Sequence, residues 1–339
     1  RPEGVPGGLA AVGGPASRRE VHDRGATLQA CGHALEHNLG LVAGESVLVV
    51  TDAEMVSMGE AFAEAARALT PIVDTDVIPV GERSGTEPPP ETARRMAGAD
   101  VALLVTATSL SWTDARRAAT HAGTRVASMP RLDESILCRT LVIDYEPVRD
   151  RANRFCDRLD RAARVRVTTA SGTDVAFSIE GRVAHGRKGG LYREPGHWGN
   201  LPCGEAFVAP VEGSGQGVYV VDASHGGVGK LEEPIRIEEE DGRAVRIQGG
   251  SEAARLRELL HAVGEPEAFN LAEFGIGCNH GARVCGITLE DEKVLGTCHL
   301  ALGRNDLFGG TVSAGVHVDG VLRGPRILLD GQDLSLFGD

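Results

Sequence analysis

Two unbroken apolar runs, at residues 46–50 (SVLVV) and 101–106 (VALLVT), constrain the fold of this chain more than any other feature. A strand with one face in water alternates apolar and polar residues. A continuous aliphatic run belongs to a strand buried on both faces, as in a parallel sheet covered by helices. Helical patterns occupy residues 21–41, 53–69, 91–96 and 113–122, with further strand-like stretches at 72–80 and 125–128. Gly40 and Gly44 break the first helix, and Thr51 and Asp52 are placed to cap the second. Strands alternating with helices over about 110 residues predict a parallel α/β layer domain. No GxGxxG turn follows the first strand, so a dinucleotide site is not expected.

After Met129-Pro130 the character changes. A charged helix is expected at 144–163, followed by β-branched or alternating stretches at 165–169, 174–179, 217–222, 235–239 and 243–248 with Gly-rich turns between them. One helix, 251–263, interrupts them, and strands near 284–289, 296–302, 315–321 and 325–329 complete the chain. The expected division is a flexible extension (1–20), an N-terminal parallel α/β domain (21–145) and a β-rich, α+β metal-binding domain (146–339).

Composition removes several function classes. The formal charge of −13 repels phosphate backbones, and aromatic residues at 4% are too few for a base-stacking surface, so no nucleic-acid partner is expected. No run of 18 apolar residues occurs and no membrane association is expected. No signal-peptide pattern opens the sequence, and the seven cysteines form no CxxC pair, so reduced thiols and a cytoplasmic location are expected. Cys203, Cys278 and Cys298 read as small buried apolar residues rather than ligands.

The residues that carry chemistry lie in the C-terminal third. In His317-Val318-Asp319 a strand puts the imidazole and the carboxylate on one face. Upstream, Thr297, His299 and Ala301 share a face while Cys298 points away. Glu205 follows Pro-Cys-Gly and Glu273 opens Glu-Phe-Gly-Ile-Gly, where glycine permits close approach. Two histidines and three carboxylates suit Zn, Mn, Co or Fe(II), and five ligands also suit two metals. An HxD pair alone is more often a surface pair or a satisfied core histidine. Tyr192, Arg193, Glu194, His197 and Trp198 form a loop suited to lining a substrate cleft. His33 and His37, spaced i, i+4 on a helix, lack a third ligand. Gly226–Lys230 reads as a turn, and 238–241 as a solvated hairpin end.

Four motifs in order, Asn200-Leu-Pro-Cys-Gly-Glu205, Ala272-Glu273-Phe-Gly-Ile-Gly277, His299-Leu-Ala-Leu-Gly303 and His317-Val-Asp319, carry a resemblance. From about residue 44 to 339 the chain resembles the thermophilic-type metallo-aminopeptidases, the aminopeptidase T and aminopeptidase S group. It is most similar there to bacterial and archaeal relatives usually labelled leucyl aminopeptidase. The resemblance implies two metals on Glu205, Glu273, His299, His317 and Asp319, and a homodimer. Two departures stand out. Asp306 occupies the place of a tyrosine thought to assist peptidase catalysis. His280 stands where close relatives more often show Asn-Pro, which makes it a candidate ligand or acid–base group. The same superfamily holds iron-dependent dioxygenases that cleave dihydroxypyridine rings, a branch implied to keep one iron and to replace the Glu and the first His.

Because Glu273 and His299 are retained, the expectation is a metallo-aminopeptidase-like hydrolase. Two Zn, Co or Mn ions would activate water against an amide of a peptide or small molecule, with Glu205, Glu273 or His280 moving the proton. The alternatives are a mononuclear Fe(II) ring-cleaving dioxygenase and a metal-bound, non-catalytic dimeric module.

Overall fold

Both apolar runs become central strands of a parallel sheet. The structure, a computed structural model, describes residues 23–336; the expected extension at 1–20 lies outside them. Strands β1 (Val47–Asp52) and β3 (Val101–Val105) pair in parallel and are buried along their whole length. β2 (Val73–Ile78) joins the outer edge of β1, and β4 (Arg125–Ser128) joins β3. Successive side chains alternate between the two faces. Val47, Val49, Val101 and Leu103 pack with Leu35, Leu39 and Phe62. Leu48, Val50, Ala102 and Leu104 pack on the other face with Met96, Leu110 and Ala119. Helices therefore cover both faces: α1 (Arg24–His33) and α2 (Val56–Arg67) on one, α3 (Pro90–Gly98) and α4 (Asp114–His121) on the other.

Three local expectations are corrected here. Asp52 does not cap α2, which begins four residues later with no side-chain cap. Its Oδ1 instead accepts from the amides of Glu54 and Met55, and its Oδ2 takes the Ala107 amide at 2.6 Å, tying two strand ends together. The sheet also has a fifth strand, β7 (Trp198–Asn200), parallel to β4 with Val126 opposite Trp198. A helix that the sequence reading did not expect, α5 (Glu134–Thr140), follows β4, its N-cap Asp133 accepting from the Ile136 amide at 2.7 Å; the expected charged helix, α6 (Glu146–Leu159), comes after it.

The remaining strands form two antiparallel sheets. One has the order β13-β12-β9-β6-β5-β17-β18, from β5 (Arg164–Thr168), β6 (Asp174–Ser178), β9 (Gln216–Val221), β12 (Ile235–Glu240), β13 (Arg243–Gln248), β17 (Arg326–Leu329) and β18 (Gln332–Asp333). The other has the order β11-β10-β16-β15-β14-β8, from β8 (Glu205–Val208), β10 (Ser224–His225), β11 (Gly229–Lys230), β14 (Leu271–Gly277), β15 (Thr297–Gly303) and β16 (His317–Arg323). The sheets face each other, with the Phe177 and Phe274 rings 5.4 Å apart between them. Helix α7 (Ser251–Val263) ends on left-handed Gly264.

The strand expected at 284–289 does not form. The carboxylates of Glu290 and Asp291 take the amides of Arg283, Cys285 and Gly286, and side chains that satisfy the backbone locally remove its reason to join a sheet. The chain then enters the short helix α8 (Thr288–Asp291). The hairpin end at 238–241 is not wholly solvated, because Glu239 is only 1% exposed. Among the described residues no helix is long and apolar enough to cross a membrane.

Candidate metal centre

The register of β14, β15 and β16 assembles the centre. Glu273 lies opposite Ala301, and Ala301 opposite Asp319, so two carboxylates flank one methyl. One row along, His299 lies between Gly275 and Val321. Gly303 faces His317, and Gly277 faces Glu205 on β8. The glycines are required by space: a Cβ on Gly275 would lie 2.0 Å from His299 Nε2. This is why β14, with glycines at alternate positions, does not read as a strand in the sequence yet forms one.

The side chains converge as this register dictates. His299 Nε2 is 3.2 Å from Glu273 Oε1 and 3.5 Å from Glu205 Oε2. His317 Nε2 is 3.4 Å from both Glu273 Oε2 and Asp319 Oδ1. Glu273 thus offers one oxygen to each imidazole. Two donor trios result, Glu205/Glu273/His299 and Glu273/His317/Asp319, with donor atoms in each within 4.8 Å of one another. Metal–ligand bonds of about 2.0–2.2 Å at tetrahedral or octahedral angles place neighbouring donors about 3–3.5 Å apart, so the spacing fits a divalent cation. His317 Nδ1 is 2.8 Å from the Arg304 carbonyl, which fixes the proton there and leaves Nε2 as the ligand atom. Glu205 Oε2 is buried without a hydrogen-bond partner among the described residues. A buried orphan oxygen is costly in a finished core and is what a cation site leaves open.

Charge balance brings in two residues that the sequence reading passed over. Lys293 is fully buried, and its Nζ donates to Glu205 Oε1 at 2.6 Å and to Glu292. Burial acts to lower the Lys293 pKa, but Glu205 and Glu292 outweigh it and keep the ammonium charged. Burial pushes Glu292 up to about 8 against the pull of Lys293. Burial likewise opposes ionisation of Glu273, yet hydrogen bonds from His299 and His317 hold it below its usual value. For His299 burial is again the largest effect, and the bond to Glu273 with the charge of Glu205 overcomes it, lifting the imidazole to about 9. His317 is raised well above its usual value despite burial, by Asp319 and then Glu273. Without a metal both imidazoles carry protons that an arriving cation must displace.

A cleft of about 450 Å³ opens beside Glu205, between the edge strands β7 and β8. Tyr192 and Trp198 line it as the sequence suggests, and so does Asn200. His185 lines the other side, 3.1 Å from the Phe308 carbonyl and stacked on Phe207, while the Phe308 ring abuts His317 at 5.7 Å. His185 was missed because a lone histidine in a Gly-rich loop carries no spacing signal.

Several expected residues lie elsewhere. Arg193 turns back to the His37 carbonyl (2.7 Å) and Glu146 (2.8 Å), and Glu194 is exposed. His280 is an exposed turn residue outside both donor trios. His33 and His37 stack on each other with centroids 4.2 Å apart and join neither trio. Asp306 pairs with Arg304 at 3.0 Å. Cys203, Cys278 and Cys298 are buried, and burial pushes each thiol up, against metal ligation.

Residues 28–339 match the family described as NicX, 2,5-dihydroxypyridine 5,6-dioxygenase. A curated 2,5-dihydroxypyridine 5,6-dioxygenase of Pseudomonas putida is 28% identical over 198 residues, covering 53% of this chain and 55% of that protein. The match therefore spans about half of the relative's length. The solved 2,5-dihydroxypyridine dioxygenase from Pseudomonas putida KT2440 has the same fold, with a TM-score of 0.77 at 22% identity over 92% of this chain and 96% of that one. AmpT from Thermus thermophilus is similar at a TM-score of 0.64 and 19% identity, over 92% and 97%. The peptidase resemblance is thus a likeness of fold, and the family match overturns the expected hydrolase, aminopeptidase and metalloprotease activity. The chain belongs to the 2,5-dihydroxypyridine 5,6-dioxygenase family.

Proposed function

We propose that this protein is a non-haem Fe(II) dioxygenase that opens a hydroxylated pyridine ring. The observation that carries the reading is the family match over residues 28–339, which contains the whole histidine–carboxylate centre. Iron(II), when bound, supplies the redox chemistry by which dioxygen reacts with an electron-rich ring. His299 and His317 would hold it through Nε2, with Glu273 and Asp319 as the carboxylates, a donor set of the kind that leaves positions open for substrate. Lys293 fixes Glu205 by one oxygen and keeps the buried charge of the centre in balance. Phe207 and Phe308 line the cleft, where their rings would exclude water. His185 lines the cleft and is the side chain there suited to take a proton from a ring hydroxyl.

The test is oxygen uptake. The chain is loaded anaerobically with Fe(II), then mixed with 2,5-dihydroxypyridine and air-saturated buffer. Dioxygen consumption matched to loss of the ring absorbance is expected. Full iron occupancy without oxygen uptake, on this ring and on other hydroxypyridines, rejects the reading.

A further inference from the structure

The part of the cleft lined by Trp112, Trp198 and Lys188 has the opposite character to the metal centre. Trp112 and Trp198 meet edge-on there with centroids 5.2 Å apart. The Arg116 guanidinium carbon lies over Trp198, 3.6 Å from the ring centre. Arg116 is only 5% exposed, and its described hydrogen bonds go to the Ser111 carbonyl at 2.6 Å and the Thr120 hydroxyl at 3.5 Å. Half-buried Lys188 lines the same cleft.

Among the described residues neither cation has a carboxylate acting on it. Burial lowers the Lys188 pKa, and Arg116 lowers it further. Burial and then Arg117 lower Arg116 to about 10. This is unusual in a chain with 48 acidic residues against 35 basic ones. Arg187, beside Lys188 in the sequence, shows the ordinary outcome, paired with Asp157 and Asp160. A desolvated cation pair without an anion is destabilising unless a ligand supplies the charge.

The cleft is also roomy. At about 450 Å³ it lies inside the usual range for small-molecule sites, and a single bare ring leaves part of it empty. The ligand must therefore satisfy two groups: an oxygen-bearing edge for the metal centre and a negative charge for Lys188, with a flat body against Trp198.

We infer that the substrate is a hydroxylated nitrogen heteroaromatic ring that carries a carboxylate, with Lys188 as the residue that selects for the acid. This deepens the ring-cleaving reading and rests on it for the ring. The carboxylate itself follows from the unpaired cations.

Binding measurements test it without turnover. Two probes share a ring and a hydroxyl and differ only in the acid: 5-hydroxypyridine-3-carboxylate and 3-hydroxypyridine. Each is titrated calorimetrically into the metal-free chain and into the Fe(II)-loaded chain under argon. Trp112 and Trp198 are the only two tryptophans, so quenching of intrinsic fluorescence places the probe in the cleft. The acid is expected to bind about tenfold tighter or more, as one charge-assisted hydrogen bond allows. Lys188→Met should shrink the preference to about twofold or less and Lys188→Arg should keep most of it, as expected of a charge contact. Equal binding of the two probes to the wild-type chain overturns the inference, as does a preference that survives Lys188→Met. Oxygen uptake is scored separately, on 2,5-dihydroxypyridine and on dihydroxypyridines that carry a carboxylate. Uptake without acid preference defeats this inference alone, and acid preference without uptake defeats the dioxygenase reading alone.

Discussion

Glu273 and Glu239 are both carboxylates buried on antiparallel strands, 6% and 1% exposed, one in each of the two packed sheets. Their surroundings differ completely. Glu273 meets two imidazole nitrogens, at 3.2 and 3.4 Å. Among the described residues neither oxygen of Glu239 has a hydrogen-bond partner, and the nearby Tyr219 hydroxyl has none either. Glu273 consequently stays ionised below its usual range, while burial pushes Glu239 up to about 8. Burial of an acid is only a cost. The converging groups that offset it are what distinguish a site from a strained position.

The contrast can be broken most directly at the metal. His317→Ala with Asp319→Ala should reduce bound divalent metal to background by mass spectrometry, whereas Glu239→Gln should leave occupancy intact. Metal retained at full occupancy by the double variant would remove the centre from its proposed place.

Lys293 offers the next largest effect. Lys293→Met leaves Glu205 and Glu292 buried without their cation and should cost about 3–5 kcal/mol in denaturant unfolding of the metal-free chain. Adding Glu292→Gln should return part of that loss. A single-variant loss below about 1 kcal/mol would mean that the ammonium does not balance the cluster.

Glu239 sharpens the comparison through pH. Its folded pKa, about 8, lies above the ordinary 4.5, so the folded state binds more protons between these values. Its contribution is fully present below 4.5 and is lost as pH rises towards 8, at up to about 1.4 kcal/mol per pH unit. Glu239→Gln should remove that slope, gaining most over wild type at the alkaline end. Parallel stability curves for the two proteins would show that Glu239 is solvated or paired after all.

The parallel sheet was legible because its signal is local. Strands β1 and β3 are unbroken aliphatic runs, and their helices carry a periodic face. The edge strand β7 was not legible, since Trp198-Gly-Asn200 joins that sheet from beyond α6 through long-range pairing with β4. At the centre, the spacing of two placed His317 and Asp319 together, and the ordered motifs pointed to Glu205, Glu273 and His299. Lys293 lay in plain view in Leu-Glu-Asp-Glu-Lys-Val-Leu-Gly, but nothing in that run says that its ammonium turns inward to Glu205. Arg193, Glu194 and His280 lie outside the donor trios for the complementary reason: position near a motif does not fix which way a loop side chain points. The activity was misread because the retained Glu273 and His299 are compatible with more than one chemistry on the same fold.

The contact between Gly275 and His299 has a consequence for how such chains diverge. With the imidazole in place, position 275 admits no side chain at all, since even a methyl would overlap the ring nitrogen. Residue 275 can enlarge only after residue 299 has shrunk, and a histidine cannot then be regained at 299 until the newcomer is lost. The order of substitution is thereby imposed by geometry and works as a ratchet. A relative with anything larger than glycine at this place has left the present arrangement of the centre, and that departure can be read from a single position.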